Sequence, residues 1–173
     1  MIELKKLNQE AVQASLERAR QYRLLNEPFE AESICLDVLA ATPGHQEALN
    51  ILLLALTDKF GESGLEPAFN EAKKVIAQLD TSHCKAYFTG LIYERRAKFH
   101  LRQGGPNSGA VAHAWFTKAM DAYEEALKTC DPDNQDAVLR FNSCARIINT
   151  NPAVKPDDNS GGEMLLDPFD TPH

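Results

Sequence analysis

The stretch Ala119–Val138, AMDAYEEALKTCDPDNQDAV, decides the fold. Ala119, Tyr123, Ala126 and Leu127 are spaced 4, 3 and 1, which places all four on one helical face. Asp131 then offers an N-cap carboxylate and Pro132 the first helical position, where a missing N–H costs nothing. Ala137 and Val138 open the apolar face of the next helix. The same pattern occurs twice more upstream. Ala31, Cys35, Val38 and Leu39 precede Pro43 and then Ala48 and Leu49; Ala68, Ala72, Val75 and Ile76 precede Thr81 and then Ala86 and Tyr87. In all three the new apolar pair lies five and six residues past the turn residue, and three such agreements make an internal repeat.

Working outward, the periodicity predicts helices over about 2–25, 28–42, 45–60, 65–80, 82–103, 110–130 and 132–149. Leu4, Leu7, Ala11, Ser15, Ala19 and Tyr22 form the expected inward stripe of the first helix, which Asn26 and Pro28 end. Thr42-Pro43-Gly44 stops the second. The third carries Ala48, Leu49, Leu52, Leu53 and Leu56 and is apolar around so much of its circumference that neighbours should enclose it. The fifth and sixth are long, separated by the turn GGPNSG at 104–109. The seventh turns Val138, Phe141, Ala145 and Ile148 inward and leaves Arg140, Asn142, Arg146 and Asn149 as a polar outer face, as a terminal cap would. From Asn151 the sequence loses its periodicity, and residues 151–173 read as an acidic-apolar tail.

Composition bounds the function. A hydrophobic share of 43% suits a globular chain, and β-branched residues are not gathered into alternating runs, so the class is all-α. A net charge of −7 argues against nucleic acid as partner, because counterion release requires a basic face. The longest apolar run, residues 51–56, is far short of the roughly 20 residues a membrane span needs. The start lacks a basic-then-apolar leader pattern, and the four cysteines form no C-x-x-C pair. A reduced, cytoplasmic protein is the expectation.

These spacings resemble the tetratricopeptide repeat, a helix–turn–helix unit of about 34 residues. Ala19 and Tyr22, then Ala31, Cys35, Val38, Leu39 and Pro43, follow its pattern without insertion; Gly90 and Tyr93, then Ala119, Tyr123, Ala126, Leu127 and Pro132, follow it with both helices lengthened. The middle repeat has Leu53 and Leu56 where a small residue and an aromatic would sit, and the family's opening tryptophan is missing, Trp115 lying elsewhere. The resemblance covers about residues 12–150. It implies a right-handed α-α superhelix of about three helix pairs plus a C-terminal capping helix over residues 1–150. It also implies a concave groove lined by the first helix of each pair.

Transferred to this chain, the family's groove positions are Leu16, Arg20 and Arg23; Asn50, Leu54 and Thr57; and Lys85, Phe88, Ile92, Arg95 and Arg96. Cations concentrated there on an acidic protein suit an acidic extended peptide, since arginine forks match carboxylates. The chain's own tail, with Asp157, Asp158, Glu163, Asp167 and Asp170 interleaved with Met164, Leu165, Leu166 and Phe169, is one such segment. The expected role is a protein–protein adaptor or scaffold, with a secretion- or assembly-type chaperone, dimeric through its first helix, as the alternative. GGPNSG lacks the Gly-Lys-Ser/Thr of a phosphate loop. His100 and His113, on opposite arms of the long hairpin, are the only residues that suggest a metal. No nucleophile–base or paired-carboxylate arrangement stands out, so neither catalysis nor a cofactor is expected.

Overall fold

The computed structural model describes residues 2–61 and 64–157. Over these the protein is built from α-helices, with short 3-10 turns at Gln9–Ala11 and Lys59–Gly61 and no strand among the described residues. The helices are α1 Val12–Leu24, α2 Pro28–Ala41, α3 Gln46–Asp58, α4 Leu65–Ala77, α5 Ser82–Gln103, α6 Ser108–Leu127 and α7 Asp136–Thr150. The chain divides into two compact units, Met1–Asp80 and Thr81–His173.

In the first unit α1 packs on α2, α2 on α3 and α3 on α4, and α1 also reaches α3. The repeated apolar faces form the seams. Ala31, Cys35, Val38, Ala68, Ala72, Val75 and Ile76 are all buried. Eight residues of α3 are buried, including Ala48, Leu49, Leu52, Leu53 and Leu56, which fits its position between α2 and α4. Asn26 ends α1 with a left-handed φ of 61°, and Glu27 N–H donates back to the Tyr22 carbonyl at 2.8 Å. This reversal satisfies the last carbonyls and delivers Pro28 to the first position of α2. His45 caps α3, its Nδ1 accepting from Ala48 N–H at 3.3 Å.

In the second unit α5 and α6 pair along their length, α6 packs on α7, and α5 touches α7. At 22 and 20 residues, α5 and α6 are the lengthened pair the sequence predicts. Ala119, Tyr123 and Ala126 are fully buried. Thr81 caps α5 by accepting from Cys84 N–H at 3.1 Å. The turn between the two helices carries left-handed φ values at Gly104, Gly105 and Asn107, the residue types that tolerate them.

Three local expectations are corrected. The first helix starts at Val12, not near residue 2: Asn8 is extended, and Ile2 and Leu4 are 93% and 84% exposed, so nothing rewards helix formation there. Its buried stripe is therefore Val12, Leu16 and Ala19. The seventh helix begins at Asp136, not at Pro132. Asp131–Asn134 instead close a turn, with Asn134 N–H donating to the Asp131 carbonyl at 2.9 Å, and Asn134 Oδ1 accepts from Asp136 N–H. Arg140, expected on an outer polar face, points to α5.

Candidate functional site

In the first unit the expected groove cations sit on the seam between α1 and α3. Arg20 of α1 bonds Glu47 of α3, and Arg23 of α1 grips Asp58 of α3 through Nη2 at 2.8 Å and Nε at 2.9 Å. Arg20 is the more exposed of the two, and Arg23 and Asp58 are each 19% exposed. Asn50 and Leu54 are half-buried. Asn50 Oδ1 is buried and accepts no hydrogen bond from the described residues. Leu16 and Thr57 are closed off from solvent, Thr57 donating to the Leu54 carbonyl at 2.8 Å. Of the six residues expected to line a groove here, four therefore present surface: Arg20, Arg23, Asn50 and Leu54.

In the second unit Lys85 is exposed and Arg95 half-buried, whereas Phe88, Ile92 and Arg96 are buried. Arg96 lies over the Trp115 ring at 4.4 Å, and Lys118 lies over the same ring at 4.3 Å. Trp115 and Phe116 are buried, in keeping with a role in joining the long hairpin. His113 is held below its ordinary pKa by burial. Among the described residues no three His, Cys, Asp or Glu side chains gather around a common metal position.

A node that the repeat pattern does not announce lies where α5, α6 and α7 meet. Glu94 is fully buried. Its carboxylate accepts from Tyr123 Oη at 2.7 Å, from Arg140 Nη1 at 3.3 Å and from Lys98 Nζ. Gly90, one turn earlier on the same face, makes room for the Tyr123 ring: a Cβ there would stand 2.6 Å from Cε1. Burial first, and the adjacent Glu94 charge second, push the Tyr123 hydroxyl well above the usual tyrosine range. For Arg140, burial opposes the charge, but Glu94 and a hydrogen bond with Tyr87 outweigh it and hold the guanidinium above its ordinary value. The Cys144 thiol beside this cluster is pushed up to about 12, by burial and then by Glu94. A buried carboxylate holding two part-exposed cations leaves a local positive balance at the α5–α7 seam. The signal for it was present in sequence: Glu94 shares the inward face of Gly90, at i and i+4.

Another feature outside the expected site is a cleft of about 400 Å³ between residues 4–9 and α2, with Leu4, Leu7, Ala40 and Ala41 as apolar walls and Lys5, Lys6 and Asp37 on its rim. The tail residues Asp158, Glu163, Asp167 and Asp170, expected as a groove ligand, lie outside the described residues. Among the described residues no helix is long and apolar enough to cross a membrane. Compared with known protein families, with curated proteins and with solved structures, the chain matches none.

Proposed function

We propose that this chain is a protein-binding helical repeat of the tetratricopeptide type, a right-handed superhelix whose first-helix face receives an extended acidic segment of another protein. The observation that carries this reading is the direct contact between first helices: α1 reaches α3, with Arg20 and Arg23 aligned on the seam. A side-by-side row of first helices makes a continuous face rather than isolated ridges, which is what an extended ligand requires. The guanidiniums on that face are occupied by Glu47 and Asp58. The Arg20–Glu47 pair is the exposed one, at 46% and 35%, and such a pair contributes only about 0–1 kcal/mol, so a ligand carboxylate exchanges for Glu47 at little cost. Asn50 and Leu54, next along α3, are half-buried and extend the face beyond the two arginines.

The test is a peptide-display selection on the full chain, run beside the Arg20→Glu/Arg23→Glu variant with its fold checked by circular dichroism. Wild type should enrich acidic extended sequences, with at least about tenfold weaker binding in the variant, as expected when charge-assisted contacts are reversed. Identical selections from both proteins would refute the proposal.

One observation favours the chaperone reading instead. Ile2, Leu4, Leu24, Leu25, Phe29 and Leu36, all in or before the first helix pair, are exposed. A chaperone would select apolar rather than acidic peptides, would be indifferent to the charge reversal, and would dimerise in light scattering.

A further inference from the structure

α2 is apolar on two opposite faces, and packing within the chain accounts for only one of them. Its inward face, Ala31, Cys35 and Val38, is closed off from solvent by α1 and α3. Half a turn around the helix run Phe29, Ser33, Leu36 and Ala40, spaced 4, 3 and 4, and all four are exposed. A surface helix ordinarily turns a charged side to water, and one that is apolar all round belongs inside. The charges of α2, Glu30, Glu32 and Asp37, flank the outer stripe rather than fill it. Phe29 and Leu36 stay 47% and 52% exposed, Phe29 even with Lys59 Nζ 4.6 Å from its ring centre.

The stripe runs on into the cleft beside residues 4–9, whose walls include Ala40 and Leu4 and whose rim carries Lys5 and Lys6 next to Asp37. Ile2 and Leu4 of that segment are exposed as well. At roughly 180 Å² for a fully exposed large apolar side chain, Ile2, Leu4, Phe29 and Leu36 leave about 500 Å² open to water. Chains that stay monomeric rarely carry an apolar patch beyond a few hundred Å². With Ser33, Ala40 and the lysine rim added, the face approaches the roughly 800 Å² that each partner of a stable complex buries.

The order of sizes along the stripe says what fits it. Large, small, large, small is complementary to its own reversal: in an antiparallel two-fold pair Phe29 lies opposite Ala40, and Leu36 opposite Ser33. The same reversal brings Lys5 and Lys6, at the Ala40 end, against Glu30 at the Phe29 end of the second copy. A parallel arrangement would instead set Phe29 on Phe29 and Glu30 on Glu30. Glu32, on the other flank, is already paired with Lys59.

We propose that the outer stripe of α2 is the two-fold seam of a homodimer, with Phe29 and Leu36 of each chain seated over Ala40 and Ser33 of the other. The chaperone reading pairs chains through the first helix; this seam is on α2, and Arg20, Arg23, Asn50 and Leu54 take no part in it. It therefore stands independently of the peptide-binding reading.

Sedimentation equilibrium of the full chain tests it. Leu36→Glu, Ser33→Leu and the exchanged pair Ser33→Leu/Leu36→Ser are run beside wild type, with helix content checked by circular dichroism. Both positions are exposed, so folding does not hinge on them. Wild type should dimerise. Leu36→Glu should weaken the dimer at least about tenfold, since it places a charge at the seam from each side. Ser33→Leu adds apolar surface yet should also weaken it about tenfold, because two leucines then meet in a space cut for one. The exchanged pair should return to within about threefold of wild type, because it conserves the packed volume. A wild-type chain that stays monomeric up to its solubility limit would overturn the proposal. So would a dimer tightened by Ser33→Leu, the mark of an unspecific apolar patch. A dimer indifferent to Leu36→Glu but abolished by Leu24→Glu would overturn it in favour of a seam on α1.

Discussion

Replacing Gly90 with alanine sets two opposed effects against each other. In a helix interior the change is ordinarily favourable by about 1 kcal/mol, because glycine loses more backbone freedom on folding. Here the new methyl would stand 2.6, 2.7 and 3.0 Å from Cε1, Cδ1 and Cζ of Tyr123. That ring is rigid and fully buried, and its hydroxyl is tied to Glu94 at 2.7 Å, so it cannot swing aside without breaking the bond. Overpacking of this kind costs about 1–3 kcal/mol, and a weakened hydrogen bond to a charged, buried partner about 1.5–3 more. The clash wins, by roughly 1.5–5 kcal/mol net on these figures. A loss of about 6 °C or more in the thermal transition of the second unit follows, at about 4–8 °C per kcal/mol for a unit of this size, measurable by calorimetry. In a Tyr123→Ala background the same substitution should cost nothing or stabilise, because the obstructing ring is gone. An unchanged or raised transition for Gly90→Ala alone would refute the reasoning.

Gly109→Ala should release residues 151–157 from α6 by displacing the Ala153 carbonyl, seen as faster proteolysis or exchange there with the other helices intact. Arg140→Ala removes one partner of a fully buried carboxylate. Breaking such a pair costs about 3–5 kcal/mol when both groups are buried, and with Arg140 one-third exposed about 2 kcal/mol is expected in urea unfolding. Burial pushes the Cys35 and Cys144 thiols up to about 12, so at pH 8 both should resist a thiol reagent until the chain is unfolded. The same shift sets a pH dependence. Unfolded thiols ionise near pH 8.5 and folded ones do not, so the unfolded state binds fewer protons. Stability should fall as pH rises from about 9 towards 12, by about 1.4 kcal/mol per pH unit for each thiol. Cys35→Ala/Cys144→Ala should flatten that slope in denaturation curves taken across the range.

What was legible in the sequence is what depends on local spacing. The 4-3-1 faces of α2, α4 and α6 and the stops at Asn26 and Thr42-Pro43-Gly44 are local, and the structure has them. The errors arise where one local pattern serves two outcomes. Asp131-Pro132 satisfies a helix N-terminus and equally a turn, and Asn134, with its side chain on the Asp136 N–H, favours the turn. Leu4 and Leu7 keep helical spacing, but Leu4 stays exposed and Leu7 is only half-buried, so the periodicity of residues 2–8 is not realised as a helix. Arg20 and Arg23 could be placed on one face from sequence. Their pairing with Glu47 and Asp58, 27 and 35 residues away, required the α1–α3 contact. Glu94 could likewise be placed on the inward face of Gly90 from sequence, but its pairing with Tyr123 and Arg140, 29 and 46 residues away, required the packing of α5, α6 and α7.

The central claim is that neighbouring first helices present one receptive face. The most direct measurement is a two-dimensional NMR titration of the full chain with an acidic extended peptide from the selection. The account predicts shifts grouped on the α1–α3 seam, at Arg20, Arg23, Asn50 and Leu54, and lost in Arg20→Glu/Arg23→Glu. Shifts confined to α2 and α4, or to the exposed apolar residues 24–29, would contradict it.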